Sequence, residues 1–285
     1  MSREALYEVL DRFLEALARR DPPRCPWAER VRSTENNVEL RIGDGLWGTV
    51  TGLGDYDLRF ADPERGQVGF FGSVVETRDE SPFTVRLKVV RDAIAEVEML
   101  VVRAADSGLK FPDPQFERKP ALEQLVAPAE RMSRERLIAL ADGYFETLQL
   151  NSGRILTRID PHCVRVENGV QTTHNPALTL TSVARLGCEE QLVLGYYRYD
   201  DRLRARRYEV LDEERGLVLA AAFIDHSGRL GKYRLTDGTQ VESPVRRPHS
   251  FYVLELFKIE SGAIERIEAN FITVPYGMPS PWDGR

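Results

Sequence analysis

The side chains able to move protons near neutrality cluster in the second half of the chain. All four histidines lie there, at His162, His174, His226 and His249. Imidazole titrates close to physiological pH and serves as general acid or base. His174 falls in a stretch without a counterpart earlier in the chain, and His249 heads a long apolar run. His162 follows Pro161 at a predicted strand start, while His226 precedes Ser227-Gly228 and reads as a turn residue. Glu255 interrupts the run Phe251-Tyr252-Val253-Leu254-Glu255-Leu256-Phe257, and alternation projects it with Phe251, Val253 and Phe257. A carboxyl on an apolar face must be paired, protonated or at work, because burying it alone is costly. A raised pKa there suits a general acid or base. The structural alternative is an ion pair with Arg204, Arg206 or Arg207.

A third feature is Gly195-Tyr196-Tyr197-Arg198-Tyr199-Asp200-Asp201-Arg202. Phenols donate to a developing oxyanion, and arginine holds a phenolate or carboxylate. On a strand, Tyr197 and Tyr199 share one face and Tyr196 and Arg198 the other; the plain alternative is an edge strand with half-buried tyrosines. Asn270 shares a face with Glu268. The candidate catalytic set is therefore His174, His249, Glu255, Tyr197 and Tyr199, with Arg198, His162, Asn270 and Phe251 as substrate contacts. There is no G-x-x-x-x-G-K-[ST], no G-x-G-x-x-G after a strand, no H-E-x-x-H and no G-x-S-x-G. Histidine and Cys163 spacings match no metal site, so neither metal nor cofactor is expected.

The elements that must carry these residues occur twice. Helical stripes run through Leu6, Leu10, Phe13, Leu14 and Leu17, and through Leu137, Leu140, Ala141, Tyr144, Phe145 and Leu148, with Ser2 and Ser133 as N-caps. Glu35-Asn36 aligns with Glu167-Asn168 at 167 − 35 = 132, Glu64-Arg65-Gly66 with Glu214-Arg215-Gly216 at 214 − 64 = 150, and Lys88 with Lys258 at 258 − 88 = 170. The rising offsets place insertions of 150 − 132 = 18 residues between about 172 and 210, and of 170 − 150 = 20 between about 226 and 250. At 255 − 170 = 85 the first copy has Val85, so the fold does not require the carboxylate of Glu255. Glu98 and Glu268 are shared and read as structural. The predicted division is a first domain over 1–106, a Pro-rich linker over 107–131 and an elaborated second domain over 132–285 carrying the site.

The bulk properties agree with two globular units. In 285 residues, 42% are apolar and 29% charged, with 39 basic against 45 acidic residues and a net charge of −6. A mildly acidic surface repels phosphate backbones, so nucleic acid is not an expected partner. No apolar stretch approaches the ~20 residues that span a bilayer. The expected setting is cytoplasmic, and Cys25, Cys163 and Cys188 fit a reducing compartment without a disulfide framework.

A helix followed by twisted strands with tight hairpins is an α+β pattern. The leading amphipathic helix, the Glu-Asn turn, the Gly43-Asp44-Gly45-Leu46-Trp47 segment and the closing strands over 85–102 and 254–272 resemble the nuclear-transport-factor-2-like, or SnoaL-like, family. The resemblance implies two tandem cones, each a curved, mostly antiparallel sheet wrapped around N-terminal helices, forming an internal pseudo-dimer that can itself form homo-oligomers. It also implies a pocket for a small apolar or aromatic molecule. Cofactor-free lyases that release formaldehyde from lignin-derived aromatic dimers are similar in general character. The expected function is a cofactor-independent lyase acting by dehydration or retro-aldol loss of formaldehyde; a non-catalytic binding protein and a ketosteroid-type isomerase are the alternatives.

Overall fold

The structure, a computed structural model, describes residues 1–104, 106 and 112–283; residues 107–111 of the expected linker lie outside the described residues. Helix α1 (Arg3–Ala18) is capped by Ser2, whose Oγ accepts from the Ala5 N–H, and its predicted stripe is buried. After it come β1 (Trp27–Glu35), β2 (Val38–Glu39), a single turn α2 (Leu46–Thr49), and the strands β3 (Val50–Asp62), β4 (Gln67–Glu76), β5 (Asp79–Val90) and β6 (Ala93–Val101). A short helix α3 (Pro120–Glu123) lies in the connection. The series then repeats as α4 (Arg134–Leu150), β7 (Ile159–Glu167), β8 (Val170–Gln171), α5 (Cys188–Val193), β9 (Arg202–Asp212), β10 (Leu217–His226), a small hairpin β11 (Lys232–Arg234) and β12 (Gln240–Glu242), and the long pair β13 (His249–Glu260) and β14 (Ala263–Val274).

The two sheets have one topology, β2-β1-β6-β5-β4-β3 and β8-β7-β14-β13-β10-β9. Only the β1–β6 and β7–β14 pairings are parallel. The fold is α+β, with two tandem cones, each a mostly antiparallel sheet against its own leading helix. The tight hairpins expected from the sequence form at Val90-Arg91-Asp92-Ala93 and Glu260-Ser261-Gly262-Ala263: Arg91 and Asp92 have φ of 52° and 63°, and Ser261 and Gly262 have φ of 50° and 78°. Paired left-handed residues match the right-handed twist of the flanking strands. No helix is long and apolar enough to cross a membrane among the described residues.

The shared letters of the repeat do the same work twice. Asn36 and Asn168, with φ of 51° and 50°, each bond both ways to the last strand. Asn168 Nδ2 donates to the Phe271 carbonyl at 3.1 Å and its Oδ1 accepts from the Phe271 N–H at 2.8 Å. Asn36 repeats this with Val101. Asparagine tolerates the left-handed conformation and supplies the hydrogen bonds that glycine cannot. Asn168→Ala should therefore lower stability by roughly 2–4 kcal/mol, and Asn168→Gly by less, because glycine removes the strain but not the lost hydrogen bonds. Urea unfolding of both variants checks the order.

The sheets pack back to back. Tyr56, Leu58, Phe60, Phe71 and Leu100 of the first join Val210, Leu219, Phe223, Tyr252, Leu254 and Ile272 of the second in one buried cluster. Reciprocal ion pairs frame it. Arg3 Nη2 donates to Asp212 Oδ1 at 2.8 Å, and Arg134 Nη1 donates to Asp62 Oδ1 at 3.1 Å. The Ala61 N–H reaches Asp212 at 3.1 Å and the Leu211 N–H reaches Asp62 at 3.2 Å. Each carboxylate thus belongs to one copy and is satisfied by the other, the self-complementary pattern of a two-fold interface.

Both insertions are present. The link from β8 to β9 spans thirty residues, 172–201, against ten between β2 and β3, and the link from β10 to β13 spans residues 227–248 where β4 and β5 meet in a two-residue turn. They are tied together: Thr236 donates through its N–H to the Leu194 carbonyl at 3.1 Å and through Oγ1 to the Val193 carbonyl at 2.8 Å.

Candidate active site

The two cones are filled differently. One row across the first sheet reads Arg59, Phe70, Val85, Met99, Glu35. The equivalent row of the second reads Tyr208, Ala220, Glu255, Ala269, Glu167. In the first cone Phe70, Val85 and Met99 are core, alongside a triad of Phe13, Trp27 and Trp47 with ring centroids 5.5–6.3 Å apart. In the second, two alanines flank a carboxyl. The side chains replaced by these alanines are large in the first cone, so the second packs smaller groups beside its acid.

Glu255 faces the cone as alternation requires, sharing its side of β13 with Val253 and Phe257 and standing 4% exposed. The arginines proposed as structural partners are engaged elsewhere: Arg204 with Asp225, Arg206 with Asp142 and Glu146, and Arg207 with Glu98 and Glu209. Burial, reinforced by the nearby charge of Glu167 and opposed by Arg165, pushes the Glu255 carboxyl up to about 8. It is mostly protonated at neutral pH.

Beside it is a polar cluster that single-residue reasoning about the sequence misses. Arg165, 2% exposed, donates from Nη2 to Gln191 Oε1 and Tyr197 Oη, both at 2.6 Å, from Nε to Thr172 Oγ1 at 3.2 Å, and from Nη1 to Tyr144 Oη at 3.4 Å. Its Nε also lies 3.3 Å from the Glu167 carboxylate. Subtracting the repeat offsets locates the signal: Arg165 corresponds to Ser33 at 165 − 132, and Tyr144 to Phe13 at 144 − 131. Three positions, Tyr144, Arg165 and Glu255, carry a phenol or a charged group only in the second copy, where the first has Phe13, Ser33 and Val85.

Toward the mouth the lining becomes aromatic. Rings of Tyr197 and Tyr199 lie 6.1 Å apart, Tyr199 and His226 6.2 Å, His226 and His249 4.6 Å, and Phe251 and Phe271 4.6 Å. The tyrosine run is a series of turns after α5, not the expected strand, so its side chains do not alternate. Leaving the strand lets Tyr196, Tyr197 and Tyr199 pack edge to face with one another. His249 Nδ1–H donates to the Arg247 carbonyl at 2.9 Å, which leaves Nε2 with its lone pair. Burial lowers its pKa, so the ring is neutral near pH 7.

The other predicted residues stand elsewhere. His174 and His162 are exposed, the first on the loop before α5 and the second on β7. Asn270 faces the opposite side of its sheet and donates to Thr84 Oγ1 at 2.8 Å in the contact between copies. Arg198 donates to the Asn151 carbonyl at 3.2 Å and lines a separate cavity of about 400 Å³ with Asp201, Ser227 and Tyr276. His226, read as a turn residue, ends β10 and is 1% exposed. Among the described residues no three His, Cys, Asp or Glu side chains converge as metal ligands.

Comparison with known proteins covers parts of the chain. Residues 130–271 match a family described as a domain of unknown function, DUF8021. No curated protein matches by sequence. Among solved structures, a candidate isomerase from Bacillus subtilis is 10% identical, overlaying 48% of this chain and 86% of its own with a TM-score of 0.32. A candidate ketosteroid isomerase from Kribbella flavida is 14% identical over 46% of this chain and 96% of its own, TM-score 0.31. A de novo designed protein with a curved β-sheet is 17% identical over 36% of this chain and 88% of its own, TM-score 0.30.

Proposed function

We propose that the second cone is the active site of a cofactor-independent enzyme moving protons on a small, largely apolar, hydroxylated aromatic molecule, with the first cone as scaffold. The observation that carries this reading is the row Ala220, Glu255, Ala269, which stands where the first cone is packed with Phe70, Val85 and Met99. A scaffold position does not need an unpaired buried acid, and stability argues against one.

In this reading Glu255, protonated at neutral pH, is the general acid, and Arg165 with Tyr197 stabilises negative oxygen on the substrate. His249 stands at the mouth, six residues and roughly 20 Å along β13 from Glu255, and holds the far end of the substrate through its Nε2 lone pair. Dehydration breaks a C–O bond, with a solvent water taking a proton and Glu255 giving one to the departing hydroxyl. In the retro-aldol variant water takes the proton of a terminal hydroxymethyl group, the C–C bond breaks, formaldehyde leaves, and Glu255 returns a proton to carbon. A lignin-type aromatic dimer carries both groups. Residues 1–106 and 132–285 serve as the two halves of an internal pseudo-dimer, joined through 107–131, a division supported by the exchanged Arg3–Asp212 and Arg134–Asp62 pairs. Three free buried cysteines are compatible with a reducing cytoplasm.

The test is turnover by mass spectrometry with purified protein and no added cofactor, against hydroxylated aromatic dimers and polyketide-like or steroid ketones. Loss of the mass of formaldehyde or of water is the expected result. An ultraviolet change at constant mass makes the protein an isomerase, and binding without any change makes it a ligand carrier.

A further inference from the structure

Two arginines that the acid–base reading does not use meet at one cavity. Arg198, Asp201, Ser227, Arg229, Leu230 and Tyr276 line a solvent-open space of about 400 Å³, within the size range of small-ligand sites. Five of these six come from the links over 172–201 and 227–248, which are long only in the second copy, so the repeat does not need the cavity in order to fold. Neighbouring guanidinium groups are neutralised: Arg202 and Arg204 share Asp225, Arg206 takes Asp142 and Glu146, and Arg207 takes Glu98 and Glu209. The two at the cavity are not. Arg198 donates through Nε to the Asn151 carbonyl at 3.2 Å, and its terminal nitrogens have no hydrogen bond or ion pair among the described residues. Gly195, with φ of 64°, makes room for it, since a Cβ there would stand 3.2 Å from Arg198 Nε and 3.3 Å from Nη2. The Arg229 side chain has no polar partner among the described residues; only its backbone N–H is engaged, with Ser227 Oγ at 3.4 Å. Asp201, the one carboxylate of the lining, accepts from the Ser227 N–H and so holds the turn that leads to Arg229.

We propose that this cavity binds the carboxylate of a small organic acid, at a site separate from the interior of the second cone. A single unpaired arginine on a surface is simply solvated. Two that face one concave space, on a chain that pairs their neighbours, are placed to hold an anion. The planar fork of a guanidinium matches the two oxygens of a carboxylate, and Arg198, fixed through Nε, keeps its terminal donors free. Charge selects the anion: two guanidinium groups against Asp201 leave one positive charge, which a carboxylate neutralises and a phosphate dianion oversteps. Leu230 and the half-exposed ring of Tyr276 offer apolar surface to the body of the acid. Binding here is independent of turnover in the cone.

The probes are hexanoate, its neutral counterpart hexanamide, and inorganic phosphate, each titrated calorimetrically into the whole protein near pH 7 at low ionic strength. Hexanoate is expected to bind roughly tenfold or more tightly than hexanamide, the worth of a charge-assisted pair, to bind more tightly than phosphate, and to weaken as salt is raised. Arg198→Met and Arg229→Met should each weaken hexanoate roughly tenfold, while Glu255→Gln, inside the cone, should leave it unchanged. Asp201→Asn keeps an acceptor for the Ser227 N–H but removes a negative charge, so it should tighten hexanoate and narrow its lead over phosphate. Equal affinity for hexanoate and hexanamide, or hexanoate binding unchanged in Arg229→Met, overturns the site. Phosphate binding more tightly than hexanoate overturns the choice of anion. Hexanoate binding lost in Glu255→Gln and kept in Arg229→Met puts the acid in the cone and also overturns the site. Arg229 is exposed, so its variant should fold as wild type does, and it decides alone should Arg198→Met fail to fold. Absence of turnover with hexanoate bound as expected removes the acid–base reading and keeps this one.

Discussion

Replacing Glu255 with glutamine is expected to remove turnover, by about 10²-fold or more, and to make the protein more stable at alkaline pH. The second effect follows from linkage. The folded carboxyl titrates at about 8 against an ordinary value of 4.5. Below 4.5 both folded and unfolded chains hold the proton and Glu255 carries no penalty. As pH rises the unfolded chain ionises first, so stability falls until pH passes about 8, a total of roughly 5 kcal/mol at 1.36 kcal/mol per unit. Glutamine imitates the protonated acid and does not titrate. Melting curves of wild type and Glu255→Gln should therefore nearly coincide at pH 4 and diverge steadily toward pH 9, with the variant higher. A gap that does not change with pH would show that the carboxyl is not held protonated. Loss of activity with gain of stability is the signature of a functional group in a strained setting, and a core residue would give the opposite.

The mirror case is Glu98, at the contact between the copies. It is fully buried, accepts from Arg86 Nε at 2.9 Å and Tyr252 Oη at 2.6 Å, and is paired with Arg207. Burial alone would raise its pKa, but Arg207 and Arg86 hold it down to about 2. Here the folded value lies below the ordinary 4.5, so the contribution is complete above 4.5 and fades as pH falls toward 2, roughly 3 kcal/mol in all. Glu98→Gln leaves two buried guanidinium groups facing a neutral amide and should cost roughly 3–5 kcal/mol at pH 7. Urea unfolding reads the loss, and the variant should lack the wild-type decline between pH 4.5 and 2. A cost below about 1 kcal/mol would mean that Gln67, Glu96 and Glu209, which also approach Arg86, suffice without it.

Glu255 also illustrates how far local pattern reaches. Strand alternation was enough to aim Glu255 and Phe251 into the cone, because a side-chain period of two leaves no choice once one face is apolar. The repeat was likewise readable from spacing alone: its helices, Glu-Asn turns, hairpins and both insertions lie where the offsets put them. Comparing the copies position by position also contains Arg165 and Tyr144, visible as Ser33→Arg and Phe13→Tyr differences. Alternation failed at Tyr196 to Tyr199 because the segment is not a strand, and local composition does not separate an aromatic turn from an aromatic edge strand.

Residue order along one element is what a sequence specifies most directly, and it was sufficient for the doubled order of leading helix and strands and for the carboxyl inside the second copy, whereas the cone itself was what the family resemblance implied. Distance between elements is another matter. The Asp200–His226 pair joins residues 26 positions apart, Arg165 meets Tyr197 across 32, and Asn270 turns to Thr84 across 186. Those contacts depend on sheet curvature, on loops folding over the cone, and on one sheet choosing the back of the other. The free energy that selects them is summed over the whole buried surface, so no local window contains it.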